Sequence, residues 1–280
     1  MPRFLKNIKT TIHYIRAKSI SRLNKIKEKK EIILINTYFI PSMFVGNEYQ
    51  DRYYPKLIEL ANNKDNIFYK EKHYSELTFH YWYWKNLLKL NEKKWIGFCQ
   101  RRRFWIKSES EGKKINIKNI QDHLLLNPSN NWDSYESIIC KPINISGAKK
   151  IKILKRGWRS LITKPSIFFN KNKENIALHF DMHHGYGNLD LAINVLDNSD
   201  KNDFKKFVYN KNSFNPHIMF ITKPEILDKW FSTLFPWLKR CEEEFGFDKL
   251  KGYDTLRLYA YLAERYLSFW FKKYTKYKEQ

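Results

Sequence analysis

The sequence predicts an α/β protein whose mainly parallel sheet is covered by helices on both faces. An isoleucine-rich apolar run, EIILINTY over residues 31–38, is typical of a buried strand, and WIGFC over residues 95–99 is typical of a second one. A helix is predicted between them over residues 76–90. Its apolar side chains recur three and four residues apart: Leu77, Tyr81, Trp84 and Leu88. This alternation of strand and helix favours parallel strands joined by helical crossovers.

Weaker patterns fill the first half of the chain. A short helix is predicted over residues 54–62 and a strand over residues 66–71. Short strands are predicted at residues 115–117 and 137–140. Residues 146–170 are basic and irregular, which indicates a mobile loop or an insertion.

The second half begins with HFDMHHGYGNLD, interpreted as a loop of His, Asp and Gly with a helix starting near Asn188. Residues 218–222 form an apolar strand. A long aromatic-rich helix follows, with Pro224 in its first turn, where a missing N–H costs nothing. Residues 255–274 complete the pattern as a helix with a basic end.

Composition excludes several classes of protein. With 280 residues, 42% apolar and 17% aromatic, the chain is not disordered as a whole. It has no apolar run of the roughly 20 residues that a membrane span needs, and no signal peptide is visible. Its three cysteines lie far apart, which suits free thiols in a reducing cytoplasm. We expect neither a zinc site nor a structural disulfide.

The net charge of +23 calls for an acidic partner. Nucleic acid, an anionic membrane surface and phosphorylated small molecules all remain possible on charge alone. Residues 1–30 carry ten Lys or Arg and one acidic residue, Glu28, with apolar residues at helical spacing. We treat them as a unit separate from a domain over residues 31–280. Such a helix can lie in the headgroup layer of a membrane, although a helix packed on the domain or a frayed tail fits too.

A run of arginines follows the second predicted strand. Gln100 and Arg101–Arg103 leave its carboxyl end, where ligands bind in open α/β sheets. The planar guanidinium group of arginine donates two parallel hydrogen bonds to the oxygens of a phosphate. The run therefore predicts a phosphate-bearing ligand, and the alternative is a basic loop after a core strand.

Two further groups of polar residues are candidates for chemistry. Asp181, His183, His184 and Asp190 lie close together in sequence and could bind a metal, a sugar or a proton, or form a turn with capping residues. The adjacent histidines would point apart on regular structure, which weakens a two-histidine metal site.

His217 enters a buried strand, where a hydrogen-bonded core histidine is the commoner role. Glu264 and Arg265 are neighbours in the last helix. They form either a buried polar pair or a catalytic carboxylate beside an orienting arginine.

These segments, in this order, resemble a family of bacterial glycosyltransferases formerly catalogued as a domain of unknown function and found among capsule, O-antigen and lipopolysaccharide genes. The matching motifs are Glu76-Leu77-Thr78, Tyr81-Trp82, Trp84-Lys85-Asn86, Ile96 to Arg103, His183-His184 with Asp190, His217 to Ile221, and Leu262 to Arg265. The resemblance covers residues 31–272. It departs from the family where His-Tyr is replaced by Gln100-Arg101 and where Asn before Met-Phe-Ile is replaced by His217-Ile218. Gln100 cannot act as a general acid or base, although it can still form a hydrogen bond with a sugar or a phosphate.

The resemblance implies a nucleotide-sugar-dependent transferase with a GT-A-like, single Rossmann-related domain and a mixed, mainly parallel sheet. In that fold class an Asp-x-Asp motif commonly holds a divalent metal on the donor diphosphate. Arginines occupy that place here, and they cannot chelate Mg²⁺ or Mn²⁺. We therefore expect catalysis without a metal, with the arginines neutralising the diphosphate; Mn or Mg is the alternative.

The resemblance also assigns residues to the two substrates. The donor side comprises Thr37, Tyr38, Glu76, Asn86, Gln100, Arg101, Arg102 and Arg103. The acceptor side comprises Asp181, His183, His184, His217 and Arg265. If the reaction inverts, Asp190 or Glu264 would be the base; an inverting and a retaining reaction both remain open. The acceptor would be a glycan or a lipid-linked glycan at the inner leaflet of the cell membrane, with the enzyme cytoplasmic and peripheral.

Two other functions compete with this one. Lys and Arg interleaved with aromatic residues are also typical of single-strand nucleic-acid binders. The aromatic residues here recur at core spacing, however, and no nucleic-acid motif is present, so no nucleic acid is expected. An inactive scaffolding relative is the other possibility. The sequence contains no P-loop, dinucleotide fingerprint, nucleophile elbow or HExxH motif.

Overall fold

A computed structural model of the chain describes residues 32–36, 64–92, 95–99, 103, 105–116, 119–125, 127–146, 150–163, 165–170 and 174–280. The predictions for residues 1–30, for the helix over residues 54–62, and for Thr37, Tyr38, Gln100, Arg101 and Arg102 lie outside these residues.

The described strands are β1 (Ile32–Asn36), β2 (Trp95–Cys99), β3 (Ser137–Ile139), β4 (Ile143–Asn144), β5 (Ser213–Phe214), β6 (Phe220–Thr222) and β7 (Tyr277–Glu279). The α-helices of the first two thirds are α1 (Glu71–Tyr74), α2 (Leu77–Asn86), α3 (Ile120–His123), α4 (Lys150–Arg156), α5 (Trp158–Thr163), α6 (Ile176–His184) and α7 (Asn188–Asn194). Those of the last third are α8 (Asn198–Asn210), α9 (Pro224–Phe245), α10 (Tyr253–Leu256) and α11 (Leu258–Tyr274). Short 3-10 helices span Phe68–Lys70, Ser108–Ser110, Asn130–Trp132 and Pro165–Phe168.

The main sheet is mixed and mainly parallel, as predicted. Its five strands are ordered β1-β2-β6-β3-β7, and β4 and β5 form a separate pair. β1 runs parallel to β2, and β3 runs parallel to β7. β6 lies between β2 and β3 and is antiparallel to both. The carboxyl ends of β1, β2, β3 and β7 therefore meet the amino end of β6 at one edge of the sheet, called the carboxyl edge below.

The alternation of side chains along the strands separates two buried clusters. Phe98, Ile139 and Phe220 face the larger cluster, which includes the apolar faces of α9 and α11. Cys99, Ile138 and Ile221 face the other side, where Trp105, Leu125 and Trp132 cover the sheet. The predicted strand over residues 95–99 is confirmed because this apolar run is buried from both sides.

Two long helices supply the largest shares of the core. α9 begins at Pro224, as predicted, and buries Trp230, Phe231, Trp237 and Leu238. α11 buries nearly all of its middle, including Leu262, Ala263 and Tyr266. Because α11 ends where β7 begins, near the amino end of β3, the first half of α11 lies toward the carboxyl edge. No helix among the described residues combines the length and apolarity needed to span a membrane.

Two strand predictions were wrong. Residues 66–71 form a 3-10 turn and the start of α1 rather than a strand, because the Asn66 side chain accepts the N–H of Phe68 at 3.2 Å and closes a turn. Residues 115–116 are irregular, since the Asn119 side chain accepts the N–H of Asn116 at 2.7 Å. Residue 117 of that predicted strand lies outside the description.

The basic stretch over residues 146–170 is helical where it is described, as α4, α5 and the turn at Pro165–Phe168. Ile153 and Leu161 pack against Leu178 and Met182 of α6. The predicted loop at residues 179–184 is also helical, because Asn175 caps α6 by accepting the N–H of Leu178 at 2.9 Å. Only Gly185–Gly187 form the expected turn before α7.

Candidate functional site

Glu264 and His217 lie together at the carboxyl edge. His217 precedes β6, whose amino end is at this edge, and Glu264 projects from the first half of α11. The backbone N–H of His217 donates to Oε1 of Glu264 at 2.5 Å, and Nδ1 of His217 is 3.9 Å from the same oxygen. The other carboxylate oxygen accepts a hydrogen bond from Arg265. Glu264 keeps 17% of its side-chain surface exposed, so a substrate can reach it.

Arg265 holds this carboxylate from inside the protein. Its side chain is 2% exposed, and its guanidinium lies 3.7 Å from the ring centre of Phe214. It donates to Glu264 and, at 3.3 Å, to Nδ1 of His179. Burial lowers the pKa of Arg265, and Glu264 opposes that shift. A buried arginine stacked on an aromatic ring has little freedom, so it positions Glu264 rather than reaching for a ligand.

His217 has a backbone conformation that is uncommon for its residue type. Its φ of 64° lies in the left-handed region, and this conformation accompanies the aim of its N–H at Glu264. Burial and the charge of Arg103 lower the pKa of His217, and Glu264 opposes them. The imidazole is therefore neutral at physiological pH. A neutral ring can accept a hydrogen bond on one nitrogen and donate one from the other.

Arg103 also belongs to this site. Its side chain is exposed, and its charge acts on both His217 and Cys140. Burial raises the pKa of the Cys140 thiol to about 12; Glu264 adds to the rise and Arg103 opposes it. Of the predicted arginine run, the one member that the structure describes thus lies close enough to His217 and Cys140 for its charge to act on both.

A line of polar side chains joins this edge to an open cavity. Arg265 contacts His179, whose ring stacks on His183 with centroids 4.4 Å apart. His183 lines a surface cavity of about 310 Å³ between α5, α6 and the Gly185–Gly187 turn. The other lining residues are Arg156, Trp158, Arg159, Asp181, Met182, Gly185, Tyr186 and Asp254. Two predicted acceptor residues, Asp181 and His183, therefore face one cavity.

The remaining predicted residues on α6 and α7 are held by internal contacts. Asp181 accepts hydrogen bonds from Ser160 Oγ and from the N–H of Gly187, both at 3.0 Å. Asp190 accepts from the Tyr209 hydroxyl at 2.7 Å, and burial and that bond raise the pKa of Tyr209. These contacts fix both carboxylates near the cavity side of α6 and α7.

His184 is packed into the interior. Its Nδ1 donates to the carbonyl of Asp254 at 3.0 Å, and its ring stacks on Tyr261 with centroids 3.8 Å apart. Burial lowers its pKa to about 3, so it stays neutral across the physiological range. The side chain joins α6 to α10 and α11, and His183, its neighbour, faces the cavity instead.

Glu76 and Asn86, both predicted on the donor side, stand at opposite ends of α2. Glu76 lies beside Tyr74, which stacks on Tyr259 in the first turn of α11, toward the carboxyl edge. Asn86 donates to the carbonyl oxygens of Trp82 and Asp65 at 2.8 and 2.7 Å. The preceding Trp84 donates to Asp228, in the helix that begins at the opposite edge of the sheet. The structure thus brings Glu76, but not Asn86, toward the site.

The chain matches a family model, described as Domain of unknown function (DUF4422), over residues 25–276. The chain belongs to the DUF4422 family. Among solved structures it is similar to the apo form of WbbM, a bifunctional glycosyltransferase, with a TM-score of 0.51 and 18% identity over 78% of this chain. This DUF4422 chain corresponds to 38% of the WbbM chain, and the similarity shows a shared fold. No curated protein matches it.

Sequence reasoning missed several residues of this DUF4422 site. His179 was not among the predicted site residues, yet it joins Arg265 to His183. Asn215 was not considered; its side-chain amide donates to the Cys140 carbonyl at 2.5 Å and to Glu279 at 3.2 Å, which ties the segment before β6 to β3 and β7. Trp158, Arg159 and Tyr186 lie in segments predicted to be loops. The i, i+4 spacing of His179 and His183 was the one available signal, and it would have required a helix over residues 176–184.

Among the residues that the structure describes, no cluster of three or more His, Cys, Asp or Glu side chains is arranged to hold a metal ion. The side chains at the carboxyl edge, Glu264 with His217 and the exposed Arg103, are suited to binding an anion beside a carboxylate.

Proposed function

We propose that this protein is a glycosyltransferase that moves a sugar from a nucleotide-sugar donor to a hydroxyl group of a glycan or lipid-linked acceptor. The observation that carries the proposal is that Glu264 and Arg103 both act on His217 at the carboxyl edge: Glu264 accepts its backbone N–H, and the charge of Arg103 lowers the pKa of its ring. An accessible carboxylate and an exposed arginine therefore both lie near His217, at the end of the sheet where α/β proteins bind ligands, and an arginine there can bind a phosphate. The fold shared with a glycosyltransferase supports the same function.

In the proposed reaction, Glu264 takes up the acceptor proton and Arg103 faces the negative charge of the leaving diphosphate. The acceptor oxygen attacks the anomeric carbon while the bond from that carbon to the diphosphate oxygen breaks. Glu264 takes the hydroxyl proton, and the bonding electrons leave with the nucleoside diphosphate. Arg103, with Arg101 and Arg102 beside it in the chain, offsets the negative charge that develops on the diphosphate. A base within reach of the hydroxyl contributes about 10²–10⁴ in rate.

Arg265 and His217 make Glu264 suitable as a base. Both of its oxygens accept hydrogen bonds from fixed donors, so the carboxylate has one orientation before the acceptor arrives. Preorganisation of this kind lowers the cost of reaching the transition state. Asp190, the other predicted base, accepts a hydrogen bond from the Tyr209 hydroxyl and would serve the acceptor side.

The acceptor would bind in the cavity lined by Asp181 and His183. Trp158 and Tyr186 supply aromatic faces there, and carboxylate, imidazole and guanidinium groups supply hydrogen bonds. Apolar faces with a few polar groups are the usual composition of a ligand site. The chain of contacts through His179 and Arg265 connects this cavity with Glu264.

Calorimetric titration with UDP, GDP and CMP in EDTA tests the donor site. We expect one nucleotide to bind, and we expect Arg103→Ala to weaken that binding while Lys229→Ala does not. Lys229 is an exposed cation on α9, so its replacement removes the same charge from a helix that begins at the opposite edge. Binding that appears only after Mn²⁺ is added would retain the transferase but replace arginine neutralisation with a metal. Absence of binding under both conditions would refute the proposed function.

A further inference from the structure

The helices α4 and α5 expose an unusual row of apolar side chains. Leu154, Trp158 and Ile162 are spaced four residues apart and are 50%, 50% and 72% exposed. Phe169, just beyond the following 3-10 turn, is 84% exposed. Four of the eleven large apolar side chains that are exposed in the described residues thus fall within sixteen residues. Clustering of this kind on a surface marks an interaction site, whereas single exposed apolar residues do not.

The row faces outward because the opposite side of the same helices is already buried. Ile153 and Leu161 pack against Leu178 and Met182 of α6. Gly157 lies so close to α6 that a Cβ at this position would meet Met182 Cγ at 3.2 Å. Leu154, Trp158 and Ile162 each follow one of these inner residues, so they are rotated about 100° away from α6. Packing on α6 therefore fixes which apolar side chains remain outside.

Cations flank the row on its other side. Lys155, Arg156 and Arg159 are exposed, and Arg156 pairs with Asp254 at 3.3 Å. The guanidinium of Arg159 lies 5.3 Å from the ring centre of Trp158 and 6.0 Å from that of Tyr186. A helix with Trp and aliphatic residues on one side and Lys and Arg along the border is the arrangement that lies in the interface of an anionic bilayer.

We propose that Leu154, Trp158, Ile162 and Phe169, with Lys155 and Arg159, form a docking face for an anionic membrane surface. The apolar side chains enter the boundary between headgroups and acyl chains, and the cations contact lipid phosphates. The exposed apolar row together with its charged border selects this occupant, because an anionic bilayer offers an apolar layer for the row and negative charge for the bordering cations and the chain's net charge of +23. The face stands on its own contacts and does not depend on the proposed transferase activity.

Docking would also determine where the opening of the cavity lies relative to the membrane. Trp158 and Arg159 belong both to the docking face and to the cavity lining, so the cavity opens beside the bilayer surface. A substrate carried by a lipid would then reach His183 and Asp181 without leaving the membrane.

Vesicle co-sedimentation of the full chain tests the proposal. We expect the wild-type chain to bind phosphatidylglycerol-containing vesicles and to bind pure phosphatidylcholine vesicles far more weakly. Leu154→Ser combined with Ile162→Ser should weaken binding to the anionic vesicles by more than about tenfold, since two side chains lose their apolar burial. Lys155→Glu combined with Arg159→Glu should weaken it and reduce its dependence on salt. Leu90→Ser is the control, because Leu90 is 47% exposed and lies outside the docking face.

A second variant reports on contact directly. Trp158→Phe keeps the face apolar, so this variant should still bind the vesicles. Brominated lipids should quench its tryptophan fluorescence less than that of the wild type, because Trp158 no longer contributes. Unchanged quenching in Trp158→Phe would overturn the proposal. Anionic vesicle binding that the paired Ser substitutions leave intact, or absence of wild-type binding, would overturn it as well.

Discussion

The carboxylate of Glu264 accepts the backbone N–H of His217 at 2.5 Å, across 47 residues of chain. This contact joins the last long helix to the amino end of the antiparallel strand β6. The second oxygen of Glu264 is held by Arg265, which is buried. A carboxylate held at both oxygens, yet partly exposed, is fixed in orientation and still open to a ligand. Substitution of Glu264 and of the residues that hold it can test its role in the reaction.

Glu264→Gln is expected to abolish most sugar transfer and to lower stability, because the buried Arg265 then lacks an ion-pair partner. The amide oxygen can still accept one hydrogen bond, but it cannot take a proton from the acceptor. We expect the transfer rate to fall about 10²–10⁴-fold with little change in nucleotide affinity. Glu243→Gln, at an exposed position of α9, is the matched control. A rate within about threefold of wild type would show that Glu264 is not the base, and Asp190→Asn would then be the variant to measure.

Arg265→Met is expected to destabilise the fold strongly. It removes the buried partner of Glu264 and the guanidinium that stacks on Phe214. Breaking a buried ion pair costs about 3–5 kcal/mol, and the partial exposure of Glu264 places the expected loss near the lower end. Urea unfolding measures it. The double variant with Glu264→Gln should lose less than the sum of the two single variants, since no unpaired charge is then left behind. Additive losses would mean that the pair contributes no coupling.

His217 is expected to show the energetic cost of its left-handed backbone. His217→Gly should be more stable than His217→Ala by about 1–2 kcal/mol, because glycine adopts a φ of 64° without steric cost. His217→Asn should lie between them. Urea unfolding of the three variants gives the order. Equal stability of the Gly and Ala variants would show that residue 217 does not keep this conformation in solution.

His80 is expected to make the protein sensitive to acid. Its ring is fully buried against Phe98, Phe220 and Phe231, and burial lowers its pKa from 6.5 to about 3. Below pH 6.5 the unfolded chain binds a proton at this residue, whereas the folded chain binds none until pH falls to about 3. As the pH is lowered across this window, the free energy of unfolding should therefore decrease by up to about 1.4 kcal/mol per pH unit from His80 alone.

His80→Leu separates this titration from packing. At a pH well above 6.5 the ring is neutral in both states, so the difference from wild type measures packing alone. On acidification the variant should lose stability less steeply, by about 1.4 kcal/mol per pH unit. An unchanged slope would mean that His80 is protonated in the folded protein. His184, whose pKa is also lowered by burial, contributes in the same direction and remains in both proteins.

An element was predicted correctly from the sequence where its pattern acts over a few neighbouring residues, and it was missed where it depends on contacts with distant segments. The strand over residues 95–99 and the start of α9 at Pro224 were predicted correctly, because an apolar run and a proline at a helix start act over a few residues. The helices α4 and α5 were missed, because lysine and arginine between the apolar positions hid the row that packs on α6. β7 was missed too, since its sequence, Tyr-Lys-Glu, is polar and pairs with β3 at the end of the sheet.

The sequence by itself determined the order of most elements, the chemical types of the candidate residues and the arginines at the end of β2. Those depend on side-chain chemistry and on periodicity within a segment. Only the tertiary structure decided that Arg103 and Glu264 both lie near His217. The reason lies in β6, which pairs antiparallel between β2 and β3 and so brings its amino end to the edge where its neighbours end. Strand direction depends on hydrogen bonds between segments more than eighty residues apart, and no local pattern records it.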